Sequence, residues 1–540
     1  MRFSWKQTPS LRALKLIASV RGHGASALRS AVLQRMRGED EPRARVRGSR
    51  RQASMGGVES SGAETMANVP TRLRKLLLCR GTTLLLVCFT VCPVASLGQT
   101  NGPLRVHPEN PRYFADVSGQ AILLTGSHTW NNLVDIGSED PPQSIDFDNY
   151  LRWLQKHGHN FTRGWTWEPT RWDTTAMRNE AWRNGNHQVS PHPWQRTGPG
   201  IALDGKPKFD LTQHNPAYLN QLRQRLAAAR EAGVYVSVML FEGYGVQFQP
   251  DAWPNHPLNP ANNVQGVDGD KDGDGKGIEI HQAARNRVTK FQQEYLRWLV
   301  SGLNEFDNLL YEVSNETHPS STEWQYDVIR FVKEVEGGLP NQHPVGMTYQ
   351  NRRGKNQTLF DSPADWVSPN SEGGFRDDPP DQKGTKVVLS DTDHLWGIGG
   401  DATWVWKTFT RGLNPIFMDT YEGKVLGEVR PQDDGPRQAM GQVLRLSRTI
   451  NLSKSTPASD LASTGYCLAE TGVSYIVFAP EGGEFSVDLS AASGDFPALW
   501  IDPVAGTRAP AGQAVGGVRQ KFSAPSDNAV VLFLKRSSPP

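Results

Sequence analysis

Polar and aromatic side chains that could do chemistry collect at the ends of eight apolar runs of this sequence. They are His128, Trp130 and Asn131; Arg163, Trp165 and Trp167; Glu242 and Tyr244; Asn315, Glu316 and His318; Asn370 and Glu372; Asp391, Asp393 and His394; and Asp419, Tyr421 and Glu422. Carboxyl groups can act as general acid, base or nucleophile. Tryptophan faces stack on the apolar faces of sugar rings, and fixed polar groups bind sugar hydroxyls. The set predicts a carbohydrate-binding cleft that contains reactive carboxylates.

Other ligand classes fit the sequence less well. No GxGxxG or GxxxxGK[ST] pattern stands at the end of a run, which argues against a nucleotide cofactor. No HExxH motif supports a metallohydrolase, so we expect no cofactor for catalysis. Residues 1–99 hold 17 basic and 5 acidic residues, which leaves 41 basic and 51 acidic residues in 100–540. That acidic body repels polyphosphate and argues against nucleic-acid binding.

The elements that must position these side chains alternate between strand and helix. The eight apolar runs are 121–130, 159–167, 233–243, 308–316, 343–349, 364–374, 386–394 and 413–421. Helical patterns separate them; Val288, Phe291, Tyr295 and Leu299, for example, share one face of a helix. Alternation of this kind with eight runs predicts a (β/α)8 TIM barrel over residues 103–450. In such a barrel the reactive groups lie at the carboxyl ends of the strands.

The C-terminal region has a different pattern. Residues 455–540 contain six short β-type runs separated by Gly, Pro and Asp, with no helical periodicity. We therefore predict a small antiparallel β-sandwich after the barrel. The sequence gives no indication of an oligomeric state.

The N-terminal region has the features of a targeting segment. Residues 66–98 combine a basic start, an apolar run and small residues, which predicts a secretory signal peptide. The Arg-rich residues 1–65 are interpreted as a non-native or disordered extension. Cys79, Cys88 and Cys92 lie in the signal segment, so Cys467 is the one cysteine of the mature chain and is expected to be buried and inert. We expect a secreted protein, periplasmic or extracellular, that has no membrane segment after cleavage.

Several of these motifs resemble a known group of enzymes. Asn315 and Glu316 in YEVSNE, at the end of the fourth run, resemble the Asn-Glu pair of the retaining βα-barrel glycoside hydrolases, the clan of the family-five cellulases. Arg163 in NFTRGW resembles the Arg that the clan keeps after strand two. The stretches FDLTQHNPAYLNQL and GVYVSVMLFEG are similar to the cellulase-like and apiosidase-like branch, and WIDPVAGT is similar to the collagen-binding-type module attached to that branch. The resemblance implies a glycosidase that acts on an oligosaccharide or polysaccharide, with Glu316 as acid/base and Asn315 as a ligand of the sugar 2-hydroxyl.

One departure from the clan concerns the nucleophile. The clan has a Glu after strand seven, whereas this chain has SDTDH. We expect Asp391 to be the nucleophile because it directly follows the apolar strand, with Asp393 as second candidate and His394 orienting either. The other residues expected to bind substrate are Asn315, Arg163, His128, Trp130, Asn131, Trp165, Trp167, Glu242, Tyr244, His394 and Tyr421. Glu242, Glu372 and Glu422 remain alternative carboxylates, and an inverting hydrolase or a noncatalytic carbohydrate-binding pseudoenzyme remain alternative functions.

A separate motif predicts a structural calcium ion. Residues 268–279, DGDKDGDGKGIE, match D-x-D-x-D-G-x5-E with the turn glycine Gly273 at position 6. Calcium takes six to eight oxygen ligands on such a loop. The expected ligands are Asp268, Asp270, Asp272, Asp274 through its backbone carbonyl, and Glu279.

Overall fold

The computed structural model describes residues 100–175, 185–284, 286–423 and 425–537. Both predicted N-terminal segments, 1–65 and 66–98, lie outside the described residues. The strands before the sandwich are β1 (Arg105–Val106), β2 (Phe114–Ala115), β3 (Ala121–Ile122), β4 (Gly126–His128), β5 (Asp135–Gly137), β6 (Phe161–Gly164), β7 (Arg171–Asp173), β8 (Asn186–Ser190), β9 (Trp194–Ile201), β10 (Pro207–His214), β11 (Tyr235–Glu242), β12 (Leu309–Asn315), β13 (Val345–Thr348), β14 (Trp366–Ser368), β15 (Val387–Asp391) and β16 (Asn414–Met418). The helices are α1 (Phe147–His157), α2 (Pro216–Glu231), α3 (Gly245–Phe248), α4 (Arg287–Leu303), α5 (Thr322–Gly337), α6 (Asn356–Asp361), α7 (Thr392–Leu395), α8 (Ala402–Thr410) and α9 (Asp434–Ser447).

Eight parallel strands form the barrel that the sequence predicts. Their order in the sheet is β4-β16-β15-β14-β13-β12-β11-β6, and each strand lies within one of the eight apolar runs. Every residue of these strands is buried, because the helices cover the outer face of the sheet and side chains fill its inside. The predicted TIM barrel is confirmed.

The helices around the barrel begin at side chains that cap them. The Asp146 carboxylate accepts the backbone N–H of Asn149 at the start of α1, and the Asn286 side chain does the same for Thr289 at the start of α4. α1 ends at Gly158, whose φ of 73° is the left-handed conformation that glycine adopts without strain. These local signals place the helices between successive strands.

No described helix combines the length and the apolar character needed to cross a bilayer.

The predicted antiparallel sandwich follows the barrel. Its strands are β17 (Thr456–Pro457), β18 (Cys467–Glu470), β19 (Ser474–Ala479), β20 (Glu484–Asp488), β21 (Asp495–Ile501), β22 (Arg508–Val515), β23 (Arg519–Ser523) and β24 (Val530–Lys535). Six of them form one sheet, and β20 pairs with β23 in the other. The sequence predicts six of the eight strands. It misses β17, which has two residues, and β22, a mostly exposed strand rich in Ala, Gly and Pro with low β propensity.

The barrel and the sandwich pack directly on each other. Trp406 of α8 donates its indole N–H to the carbonyl of Pro503 at 2.8 Å and stacks on Phe478 of β19. The buried apolar core runs continuously from barrel helices into β19 and β24. Cys467 is buried, as expected from the sequence, and burial raises the pKa of its thiol to about 12.

Candidate active site

Arg163 lies at the centre of a buried network at the carboxyl ends of the barrel strands. Its Nε and Nη2 bond to the two carboxylate oxygens of Glu312 at 2.9 and 2.7 Å. Its Nη1 bonds to Asp391 and Asp393, both at 2.9 Å, and its Nη2 also bonds to the amide oxygen of Asn315 at 2.8 Å. The guanidinium thus fixes groups from β6, β12 and β15 in one geometry.

Asp391 is held by partners on several sides. His128 Nε2 lies 3.0 and 2.9 Å from its two oxygens, and the backbone N–H of Asp393 donates to it at 3.1 Å. Trp165 Nε1–H donates to His128 Nδ1 at 2.9 Å, so the proton of His128 is on Nε2 and points at Asp391. Burial alone would raise the pKa of Asp391, but His128 and Arg163 outweigh it and hold the pKa well below its usual range. Asp391 is 1% exposed and its carboxylate is saturated with donors.

Asp393 and Glu316 come together at the mouth of the barrel. Oxygens of these two carboxyl groups and a ring nitrogen of His394 all lie within 4.8 Å of one another. Asp391 caps α7, and this short helix turns Asp393 back toward Arg163. His394 Nδ1 bonds to Ser368 Oγ at 2.7 Å, and its Nε2 lies 3.3 Å from Asn315 Oδ1 and 3.6 Å from Asp393.

Glu316 has the features of a proton donor. It is 7% exposed, and burial together with the nearby Asp393 raises its pKa well above the usual carboxyl value. Its φ of 45° is strained for a residue with a side chain. Asn351 Nδ2 donates to Glu316 Oε2 at 2.8 Å, and Gln247 donates to the Glu316 carbonyl at 2.7 Å. These bonds hold the residue in its strained conformation.

The predicted tryptophans form a wall beside this cluster. Trp165 and Trp167 are stacked with ring centroids 5.6 Å apart, and Trp130 meets Trp167 edge-on at 5.4 Å. Arg163 lies 4.8 Å from the centroid of the Trp165 ring. All three indoles are at least 96% buried, so their faces mainly contact each other and the network around His128 and Arg163.

Glu242 belongs to a second carboxylate group behind the site. Its oxygens accept the backbone N–H groups of Tyr244 and Gly245, and burial is the main cause that raises its pKa to about 8. Glu168 accepts the backbone N–H of Glu242 at 2.9 Å and the Nε2–H of His281 at 2.8 Å. Although burial opposes it, the interactions with His281 and His256 lower the pKa of Glu168 to about 2.

Two other residues considered from the sequence, Tyr421 and Glu372, have contacts outside this cluster. Tyr421 packs edge-on against Tyr150 and Trp153 of α1, and its hydroxyl accepts a bond from Asn149 at 3.1 Å. Glu372 is exposed and pairs with Lys355 at 3.0 Å. Asn131 and Glu422 are partly exposed in the loops that follow β4 and β16. Tyr244, in contrast, follows β11 at the site, and besides burial the carboxyl groups of Glu316 and Glu242 raise the pKa of its phenol.

Sequence reasoning missed several residues that support the site. Glu312 is a charged residue within an apolar strand, which was an available signal for an internal ion pair. Asn351 lies in the loop after β13 and Glu168 one position after the Trp167 run, where their types alone gave no indication of a partner.

The predicted calcium loop has a compact fold on the insertion between α3 and α4. Carboxylate oxygens of Asp270, Asp272 and Glu279 lie within 4.8 Å of one another, close enough to share one cation. Gly273 has a φ of 74°, as the turn requires. Asp268 accepts the N–H of Asp270 at 3.0 Å. The Asp274 carboxylate pairs with Lys276, which leaves its backbone carbonyl as its predicted ligand atom.

Comparison with known proteins adds information on the fold. No protein-family model and no curated protein matches the sequence. Among solved structures, one described as a glycoside hydrolase has a TM-score of 0.54 at 14% identity, over 82% of this chain and 98% of its own. A glycoside hydrolase family 5 structure from Bacteroides vulgatus has a TM-score of 0.55 at 14% identity, over 81% of this chain and 94% of its own. At this identity the likeness supports the fold, a TIM barrel followed by a β-sandwich.

Proposed function

We propose that this protein is a glycoside hydrolase that cleaves an oligosaccharide or polysaccharide with retention of anomeric configuration. The observation that carries the proposal is the approach of Glu316 and Asp393 to within 4.8 Å. Retaining glycosidases hold their two carboxyl groups about 5–5.5 Å apart, whereas inverting ones leave about 6.5–9.5 Å for a water molecule. The structural likeness to glycoside hydrolases and the motif of Asn315 and Glu316 support the same class.

The two carboxyl groups have different roles in this proposal. Glu316, kept protonated by its raised pKa, donates a proton to the leaving oxygen while an Asp393 carboxylate oxygen bonds to the anomeric carbon. Water then enters, and its oxygen bonds to the anomeric carbon while Glu316 takes a proton from it. The bond between the anomeric carbon and Asp393 breaks, which restores the Asp393 carboxylate and the protonated Glu316. Asn315, next to Glu316 and bonded to Arg163, is in position to bind a sugar hydroxyl.

Asp393 is the proposed nucleophile in place of Asp391. The carboxylate of Asp391 already accepts bonds from His128, Arg163 and a backbone N–H, which makes its oxygens weak nucleophiles. Asp393 has Arg163 as its close hydrogen-bonding partner and is more exposed, at 7%. Asp391 then positions Arg163 and the first turn of α7.

Release of reducing ends from a panel of glycans tests this function. The wild-type protein is compared with Glu316→Gln, which keeps the volume and neutrality of the protonated acid. Release that disappears in the variant supports the hydrolase. If no glycan is cleaved but Glu316→Gln and wild type bind glycans alike, the protein is a noncatalytic carbohydrate-binding protein.

We also propose that the chain is exported and binds calcium. The charge, apolar run and small residues of 66–98 support export to the periplasm or the extracellular space. The spacing of 268–279 and the convergence of Asp270, Asp272 and Glu279 support a calcium ion, which would neutralise the repulsion between these carboxylates and stabilise the insertion. From the likeness of WIDPVAGT to a collagen-binding-type module we propose a fold family for the sandwich, and we propose no ligand for it.

A further inference from the structure

The loop after β13 carries two arginines directly after a residue that bonds to the acid/base. Asn351, which bonds to Glu316, is followed by Arg352 and Arg353, both exposed. Their φ values of 50° and 74° are left-handed and costly for residues other than glycine. Strain of this kind persists where the surrounding structure enforces it and is concentrated at functional sites.

The guanidinium of Arg352 is anchored rather than free to move in solvent. It lies 4.6 Å from the centroid of the Phe248 ring, and its Nη2 donates to the carbonyl of Gln247 at 3.1 Å. Gln247 itself donates to the carbonyl of Glu316, and the Arg352 backbone N–H donates to Asn351 at 2.7 Å. Two short chains of contacts therefore connect Arg352 to the acid/base.

This anchored cation has unused hydrogen-bonding capacity. Among the described residues, no carboxylate lies within salt-bridge distance of Arg352, whereas Arg163 at the centre of the site pairs with three. A guanidinium has five N–H donors in a planar fork that matches a carboxylate or a sulfate. Arg352 also contributes, after burial, to the lowered pKa of His318, so its charge acts on the residues that follow the acid/base.

We propose that Arg352 binds an anionic group of the substrate, a carboxylate or sulfate on the sugar at the leaving-group side of the cleaved bond. The side follows from the proposed function, on which this inference rests: Glu316 protonates the leaving oxygen, and the contacts of Arg352 lead to Glu316. The anchoring on Phe248 and Gln247 pre-organises the guanidinium, which lowers the entropy lost on binding.

Binding to the inactive Glu316→Gln protein tests this inference without requiring turnover. Calorimetry compares four probes: a polygalacturonate oligosaccharide, its methyl ester, a sulfated galactan oligosaccharide and the same galactan oligosaccharide without sulfate. Each is measured with Glu316→Gln alone and with Arg352→Gln, Arg352→Lys or Arg330→Gln added. Arg330 is an exposed arginine on α5 paired with Asp327, and serves as the control for loss of one charge.

We expect at least one anionic probe to bind at least 10-fold more tightly than its uncharged counterpart, and Arg352→Gln to remove that preference. Arg352→Lys should retain part of it, and Arg330→Gln all of it. Preference for the carboxylate over the sulfate, or the reverse, identifies the group. Equal binding of charged and neutral probes, an unchanged preference in Arg352→Gln, or no binding of any probe would overturn the inference. Cleavage of a neutral glycan by the wild type in the same panel would leave the proposed hydrolase intact.

Discussion

Glu316 and Asp393 face each other within 4.8 Å, and each has its own hydrogen-bond donor: Asn351 for Glu316 and Arg163 for Asp393. Burial raises the pKa of both groups, and Arg163 opposes the rise at Asp393. The favoured state of the pair is therefore a protonated Glu316 beside an ionised Asp393, and this state is the one that a retaining glycosidase needs.

The pH dependence of the reaction should report this pair. Activity falls at low pH as Asp393 takes up a proton and at high pH as Glu316 loses its own. The bond from Asn351 favours the ionised form of Glu316 and lowers its pKa. We expect Asn351→Ala to move the alkaline limb of the kcat/KM profile to higher pH. An alkaline limb that stays in place or moves to lower pH would contradict the assignment of that limb to Glu316.

The two aspartates after β15 should differ in what their removal changes. Asp393→Asn should reduce turnover by roughly 10⁴-fold or more, since the nucleophile is lost, and change stability little. Azide should restore cleavage and give a glycosyl azide. Asp391→Asn should lower the free energy of unfolding by about 3–5 kcal/mol, because it removes a charge from a buried network. Kinetics and chemical denaturation of both variants measure these effects. Azide rescue of Asp391→Asn, with Asp393→Asn still active, would reverse the assignment.

The sequence predicts the barrel well because each apolar run ends in polar residues, so the positions of strands and their carboxyl ends are both visible. It also places Glu316, Asn315 and Arg163 correctly at strand ends. From the sequence, Asp391 is favoured as nucleophile because it directly follows the apolar strand. The reasons for proposing Asp393 instead are the contacts of the two aspartates with His128 and Arg163, which are distant in the chain. Asn351 is missed because its partner, Glu316, is distant in the chain. Tyr421 lies close to a strand end, but its side chain packs against Trp153 of α1.

Glu242 should make stability decrease with rising pH. Its pKa is about 8 in the folded protein and near 4.5 when unfolded, so between these values the folded state binds the extra proton. By linkage, the free energy of unfolding falls as pH rises through this window. Glu242→Gln removes the titration, so its Tm relative to wild type should increase from pH 5 to pH 9. A constant difference in Tm over this range would show that Glu242 does not titrate there.

Calcium should stabilise the protein without entering the reaction. Addition of a chelator should lower the Tm of the wild type, and added Ca²⁺ should restore it. Glu279→Gln removes the ligand at position 12 of the loop and should abolish both effects, whereas Glu372→Gln, at an exposed carboxylate elsewhere, should keep them. Activity measured well below the Tm should persist in chelator. A Tm that is insensitive to calcium would exclude the predicted site.

The anomeric form of the first product tests the central claim most directly. Proton NMR is recorded during the first minutes of hydrolysis of a glycan that the protein cleaves. The anomeric proton signals then distinguish the product as it is released from the product after mutarotation. The pair of Glu316 and Asp393 predicts a product with the anomeric configuration of the substrate, and no product signal from Glu316→Gln. A product of inverted configuration, or undiminished hydrolysis by Glu316→Gln, would contradict it.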